Sequence, residues 1–250
     1  MKVGIWTIVV AIAVIGLCSF IGLRKPIIAG ELTRQTVYLW ALNSFHLQSA
    51  DAQPIAMLMD DDGGEGIFAI RRITNHLGIK ATFAVIPSRL SREMAESLKI
   101  CQQEGYGIAL HGYNHDSWKD WPSDKIINDI SASEKRLEEL GLQMDFKYVV
   151  PPYACNTAAI RKAVRQKGYK HVTGANIVNP DTTMFQYGRI WIGADNGNIE
   201  EQEMRELLTK AYEKRSFVIF GTHSSMPGAF SESQATAVLQ MALDIGFRFI

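Results

Sequence analysis

The sequence predicts an α/β fold built on a largely parallel sheet, and two observations carry that prediction. From Pro54 onward, short apolar runs alternate with amphipathic stretches of helical period, the order that parallel strands with crossover helices require. Three of the runs also end in chemistry-bearing residues. Asp60-Asp61-Asp62 follows Met57–Met59, His111 follows Gly107–Leu110, and His223 lies just past Ser216–Phe220. Folds of this class bind ligands at the carboxyl ends of their strands. The alternation alone fits either an open sheet or one closed into a barrel.

The elements follow in order. Val3–Leu23 carries no charge and is flanked by Lys2, Arg24 and Lys25. As a helix it spans roughly 31 Å, enough to cross a bilayer. It reads as an uncleaved anchor over residues 1–25. A cleaved signal peptide is disfavoured by its length and by the poor cleavage site at Ile27-Ile28-Ala29. Positive charge is similar on both sides, so topology is not set. Residues 26–53 form a connector in which His46 stands alone.

Residues 54–250 form the domain. Pro54–Met59 reads as a buried strand. Gly66–Leu77 reads as a helix, because Ile67, Ile70, Ile73, Thr74 and Leu77 share one face, and Gly78 closes it. Lys80–Ile86 is the next strand, and Ser91–Glu104 a helix with Met94, Leu98 and Cys101 inward. Gly107–Leu110 is a short strand. Ser123 is the expected N-cap of a helix over Asp124–Leu140. Lys147–Val150 is a strand, Thr157–Lys167 a helix, and Tyr169–Thr173 and Gly188–Ile192 are strands. Helix Ile199–Lys214, strand Ser216–Phe220, helix Ser231–Ile245 and a short strand Phe247–Ile250 complete the chain.

Composition narrows the function. The 250 residues suit one medium-sized domain or two small ones. Formal net charge is zero, with no basic block, so nucleic-acid binding has no electrostatic support. The three cysteines, Cys18, Cys101 and Cys155, lack Cys-x-x-Cys spacing, which argues against a zinc knuckle or redox motif. Free thiols at Cys101 and Cys155 are expected rather than a disulfide.

Three adjacent carboxylates repel one another. Either water solvates them or a bound cation compensates them. The i, i+4 spacing of His111 and His115 places both rings on one face of a helical turn, where they can share a metal. An Asp with two His leaves positions open for water and substrate. His223 reaches the same rim by strand-end logic, and a histidine there can serve as a proton donor. Pro151 and Pro152 stiffen the exit of their strand and can aim the next N–H groups at a substrate oxygen. Trp118 and Trp121 follow the His pair, either as stacking faces for a sugar ring or as caps on the core.

In this order the motifs resemble the polysaccharide deacetylase (NodB-homology) family, as a divergent member. Met59-Asp60-Asp61-Asp62-Gly63 is similar to its Thr-Phe-Asp-Asp-Gly, and His111-Gly112-Tyr113-Asn114-His115 to its His-Ser/Thr-x-x-His. Val150-Pro151-Pro152-Tyr153-Ala154 is similar to Arg-x-Pro-Tyr-Gly, and Phe220-Gly221-Thr222-His223 to the closing Leu-x-His. The resemblance covers about residues 54–250. It implies a distorted, incomplete (β/α) barrel, seven-stranded and TIM-like. It also implies a divalent metal, usually zinc, although cobalt, nickel and manganese suit the donor set. Asp62, His111 and His115 would hold the metal. Asp61 would be the general base and His223 the general acid for the leaving amine. The backbone at Tyr153, set by Pro152, would hold the oxyanion. An amide is a poor electrophile, so its hydrolysis calls for all of these parts.

Departures from the family pattern add expectations. Val150 stands where an Arg usually pairs with the base, and Arg189 is the candidate substitute. Gly112 replaces Ser/Thr, and Ala154 replaces Gly. Asp60 replaces Phe, which keeps a second register open with Asp60 as base and Asp61 as ligand. Asp195 is the candidate for the family's remaining aspartate and would orient His223.

The implied activity is removal of N-acetyl groups from amino sugars of a cell-envelope or exported polysaccharide. The domain would be membrane-anchored and extracytoplasmic, or secreted if the N-terminal segment is cleaved. A deacetylase or deformylase of a lipid-linked sugar and a catalytically inactive glycan-binding relative are the alternatives. Oligomeric state is not set by the sequence.

Overall fold

A computed structural model of the protein describes residues 54–250, apart from Asp145, residues 194–199 and Pro227. The expected anchor and connector, Cys18, His46 and Asp195 lie outside the described residues. Among the described residues, no helix is long and apolar enough to cross a membrane.

The chain alternates as expected: β1 (Ile55–Asp62), α1 (Ile67–Leu77), β2 (Ala81–Val85), α2 (Arg92–Gln103), β3 (Gly107–Leu110), α3 (Ser123–Glu139), β4 (Tyr148–Val149) and α4 (Ala158–Gln166). β5 (Lys170–Val172), β6 (Gln186–Tyr187), β7 (Ile190–Trp191), α5 (Glu201–Glu213), β8 (Phe217–Thr222), α6 (Glu232–Ile245) and β9 (Arg248–Phe249) follow. Helix α1 buries Ile67, Ile70, Ile73 and Thr74 and stops at Gly78, whose φ of 68° suits a residue without Cβ. Ser91 caps α2 by accepting the Met94 N–H. Ser123 does not cap α3. Pro122 is the extended residue before the first turn, and its carbonyl accepts the N–H groups of Lys125 and Ile126. Cys101 and Cys155 are free thiols.

The strands lie in the order β6-β5-β4-β3-β2-β1-β8-β7, with β9 beside the start of β1. Every pairing between named strands is parallel. The two outermost strands, β6 and β7, are separated in sequence only by Gly188 and Arg189. One stretch, Gln186–Trp191, therefore pairs with β5 through its first half and with β8 through its second. It joins the two edges of the sheet and curls it into a distorted barrel.

The expected strand Gly188–Ile192 began two residues late because its first half lies on the other edge. The switch occurs at Gly188. Its N–H donates to Asn179 Oδ1 at 2.7 Å, and its carbonyl accepts from Asn179 Nδ2 at 2.9 Å. A Cβ there would meet the Ile177 side chain at 2.6 Å. The side-chain amide of Asn179 thus satisfies the backbone where neither neighbouring strand does.

Alternation along the strands fills the barrel. Met57, Met59, Ala84, Ala109, Tyr148, Val150, Val172, Tyr187, Phe217 and Ile219 pack into one interior cluster. The period of two carries the same inward face on to Asp61, His111, Arg189 and His223 at the mouth.

Candidate metal centre and active site

The first strand presents its aspartates in three directions. Asp61 continues the inward face of Met57 and Met59, so Asp60 faces outward. Asp62 has a φ of 76°, a left-handed conformation that Asp tolerates better than bulkier residues. This turn carries its carboxylate to the rim. Gly63 follows at φ 60°, where an added Cβ would lie 2.6 Å from Val85 Cγ1.

Asp62 Oδ1 lies 3.5 Å from His111 Nε2 and 3.6 Å from His115 Nε2. The three residues form a group whose donor atoms all fall within 4.8 Å of one another. Helical spacing is not what unites the histidines. Residues 111–115 form a loop, with φ of 74° at Gly112 and 66° at His115. The His111 N–H still donates to Val85 O, and the Tyr113 N–H donates to Asp129 Oδ1. Together these anchors and turns bring the ring centroids to 4.7 Å.

The donor set fits a cation. His111 Nδ1 is 2.8 Å from the Val150 carbonyl. A carbonyl only accepts, so Nδ1 carries the proton, and in the neutral ring Nε2 then keeps its lone pair. That Nε2 and Asp62 Oδ1 are both buried without a hydrogen-bond partner. Two unpaired acceptors facing each other are costly in a protein interior, and a divalent ion satisfies both. Backbone support behind a ligating His is also the usual arrangement at metal sites. Burial, reinforced by the adjacent His111, holds His115 below the ordinary histidine pKa and favours its neutral, ligating form.

Beside this group a buried ion pair meets a histidine. Arg189 Nη1 donates to Asp61 Oδ1 at 2.7 Å, and its Nε donates to Thr173 O at 3.1 Å. Asp61 Oδ2 faces His223 Nε2 at 3.6 Å. Burial pushes the Asp61 carboxyl up, but Arg189, His111 and His223 outweigh it and hold the group below its ordinary value. Arg189 thus stands where the sequence suggested a substitute cation, while Val150 packs inside the barrel. Trp191 was not anticipated. Its ring stacks on His223 with centroids 4.6 Å apart and planes 18° apart. The Arg189 guanidinium lies over the same indole, 4.2 Å from the ring centroid, and Trp191 Nε1 donates to Gly174 O. The signal was its position two residues after Arg189 on a strand, hence on the same face.

Other expectations change. Asp60 is remote in role from the His pair, so the second register does not describe this site. Its carboxylate accepts from Thr222 Oγ1, the Ser224 N–H and Ser224 Oγ. Burial raises its pKa to about 7, against the opposing hydrogen bonds. Trp118 is fully buried and offers no face to a sugar. It caps the core, in the space beneath Gly112. Trp121 is half-buried, with Lys125 Nζ 3.7 Å from its ring centroid.

Pro152 is buried against Gly112, where an added Cβ would come within 2.7 Å of Pro152 Cγ. The missing hydroxyl of the His loop and the second proline of the next loop are therefore one packing solution. Tyr153 and Ala154 both take left-handed φ values, 56° and 53°. Tyr153 is 68% exposed, and its ring lies 4.7 Å from that of His115.

The family model for polysaccharide deacetylase matches residues 48–172. Among solved structures, the chain is similar to a family 4 acetyl xylan esterase from Clostridium thermocellum in complex with a cobalt ion, with 15% identity, a TM-score of 0.57, and coverage of 78% of this chain and 87% of that one. It is also similar to a family 4 carbohydrate esterase from Streptomyces lividans in complex with acetate, with 16% identity, a TM-score of 0.57, and coverage of 78% and 91%. A CE4 family pseudoenzyme from Bacillus anthracis aligns at 15% identity and a TM-score of 0.52, over 79% of this chain and 63% of that one. At these identities the likeness is one of fold. No curated protein sequence matches the chain.

Proposed function

The chain belongs to the polysaccharide deacetylase family, and we propose that it is a metal-dependent hydrolase that removes N-acetyl groups from amino sugars of a cell-envelope or exported polysaccharide. Its apolar N-terminal stretch would hold it at a membrane with the domain on the extracytoplasmic side. The observation that carries the reading is the unpaired, buried face shared by Asp62 Oδ1 and His111 Nε2, next to an Asp–Arg–His acid–base set.

Asp62, His111 and His115 would hold the divalent ion. When bound, such an ion supplies a Lewis acid that polarises the amide carbonyl and acidifies the attacking water. Asp61 would accept the water's proton. Arg189 pins Oδ1, orients the carboxylate and keeps it ionised, and Oδ2 is turned toward His223. His223 would donate a proton to the departing amine, which is a poor leaving group until protonated. Trp191 holds the imidazole plane by stacking on it. The backbone at Tyr153, which follows Pro152 packed against Gly112, would meet the carbonyl oxygen.

A non-catalytic glycan-binding role is the second reading. The pseudoenzyme among the structural neighbours and the lost Arg at position 150 favour it. The Arg189–Asp61 pair supports the catalytic reading instead, since the base keeps a cationic partner.

The experiment is metal analysis of the full chain beside His111→Ala, followed by an assay for acetate release from N-acetylated oligosaccharides. About one metal per chain, lost in the variant, with metal-dependent acetate release, is expected. Sugar binding without turnover at saturating zinc would establish the second reading.

A further inference from the structure

Asp60 takes no part in the chemistry described above, yet it is fully buried and holds three hydrogen bonds. Its partners are the residues on either side of His223. Asp60 and Thr222 are register partners on the parallel strands β1 and β8. Both face away from the barrel interior, where Asp61 and His223 face in. Thr222 Oγ1 donates to Asp60 Oδ1 at 2.7 Å, and the Ser224 N–H donates to the same oxygen at 2.9 Å. Ser224 Oγ donates to Oδ2 at 2.6 Å.

The next residue repeats the arrangement from the other side. Ser225 Oγ accepts the N–H groups of Gly64 and Gly66 at 3.1 and 3.3 Å. Gly66 leaves room for this contact, since a Cβ there would lie 2.1 Å from Ser224 Oγ. The His223 carbonyl closes the turn by accepting from the Met226 N–H.

We infer that Asp60 is the positioning residue of His223, fixing the backbone on both sides of the proton donor through Thr222 and Ser224. The inference rests on the proposed role of His223 as general acid. Strand alternation explains the geometry. The carboxylate grips the outward-facing residues 222 and 224, and the residue between them is thereby aimed inward at Asp61. What Asp60 supplies is hydrogen-bond acceptance and shape rather than charge. An Asn can reproduce it: its Oδ1 accepts from Thr222 and the Ser224 N–H, and its Nδ2 donates to Ser224 Oγ with that hydroxyl turned round.

The test uses the full chain with Asp60→Asn and Asp60→Ala, and two substrates. An N-acetylglucosamine oligosaccharide must expel an amine and needs a proton donor. p-Nitrophenyl acetate expels a stable phenolate and does not. Asp60→Ala is expected to lower kcat on the amide by about 10²-fold, with KM little changed, because a donor misplaced by ~1 Å loses most of its effect. The ester rate should stay within about threefold of wild type, since the acid is not used in that step. Asp60→Asn should retain both activities. Separately from turnover, carbethoxylation of His223 by diethyl pyrocarbonate, read by peptide mass spectrometry, should speed up several-fold in Asp60→Ala with His115 unchanged. It should match wild type in Asp60→Asn. Should Asp60→Ala fail to fold, Ser224→Ala removes one bond of the clamp and should show a smaller effect of the same kind.

Unchanged His223 labelling and an unchanged amide-to-ester ratio in the folded Ala variant would overturn the inference. Equal damage from Asn and Ala would overturn it too, because charge would then be what matters. A wild-type chain inactive on both substrates would count against the proposed function alone, and the labelling comparison would still decide the role of Asp60.

Discussion

Arg189 and Asp61 meet at 2.7 Å inside the barrel mouth although 128 positions separate them in the chain, and each side chain is only 1% exposed. Removing one partner of a buried ion pair strands the other charge, which costs about 3–5 kcal/mol. Arg189→Met should lower stability by that order in a denaturant titration. It also removes the cation that holds the Asp61 carboxyl down. The acid limb of the kcat profile should therefore move to higher pH, because the base must be ionised to act.

Asp61→Asn should abolish acetate release, since the amide cannot take a proton from water; a loss of at least ~10²-fold is expected for a general base. Stability should fall as well, because Arg189 loses its counter-charge while keeping Thr173 O. Activity and thermal unfolding measured on the same preparation check both parts.

Gly112→Ser restores the residue type usual in the family loop, yet it should harm this protein. The position has φ 74° and no room for a Cβ beside Pro152. A strained non-glycine residue costs of order 1–3 kcal/mol, and relief must come from moving either the His loop or Pro152. Titration with zinc should show weaker binding in the variant. Pro152→Ala added to Gly112→Ser should recover part of the loss but not the part owed to φ.

His171 predicts the acid sensitivity of the fold. It is fully buried on β5, and burial, aided by the charge of Arg161, lowers its pKa from 6.5 to about 4. The native ring stays neutral where the unfolded ring has taken a proton. Its contribution is thus complete above pH 6.5 and is lost as pH falls toward 4. The full loss is roughly 3 kcal/mol. Urea midpoints measured at pH 7 and pH 5 should diverge in the wild type, and less so in His171→Leu.

The order of elements was legible because each helix carries one apolar face and all but α5 stop at or just before a glycine that a linear reading can find. The pairing of Asp62 with two histidines was legible as a set of residue types, but the helical turn expected to unite them was not there. Gly112 and His115 adopt left-handed φ values that spacing cannot reveal. Asp60, Asp61 and Asp62 look alike in sequence. Strand alternation and the turn at Asp62 send them to three different tasks, which only the partners on β8 and in the His loop make visible. Trp118 could stack or cap on sequence grounds, and burial beneath Gly112 made the choice. The strand from Gln186 was cut short because Gly188 breaks the apolar pattern, and nothing local tells that its two halves serve opposite edges.

That shared strand also sets a rule of inheritance for this protein. Tyr187, Arg189 and Trp191 face inward because they alternate, so one deleted residue would turn the guanidinium out and an isoleucine in. Most surface connections tolerate changes of length. Between Tyr187 and Trp191 the spacing is itself the information, and a substitution there is easier to survive than an insertion.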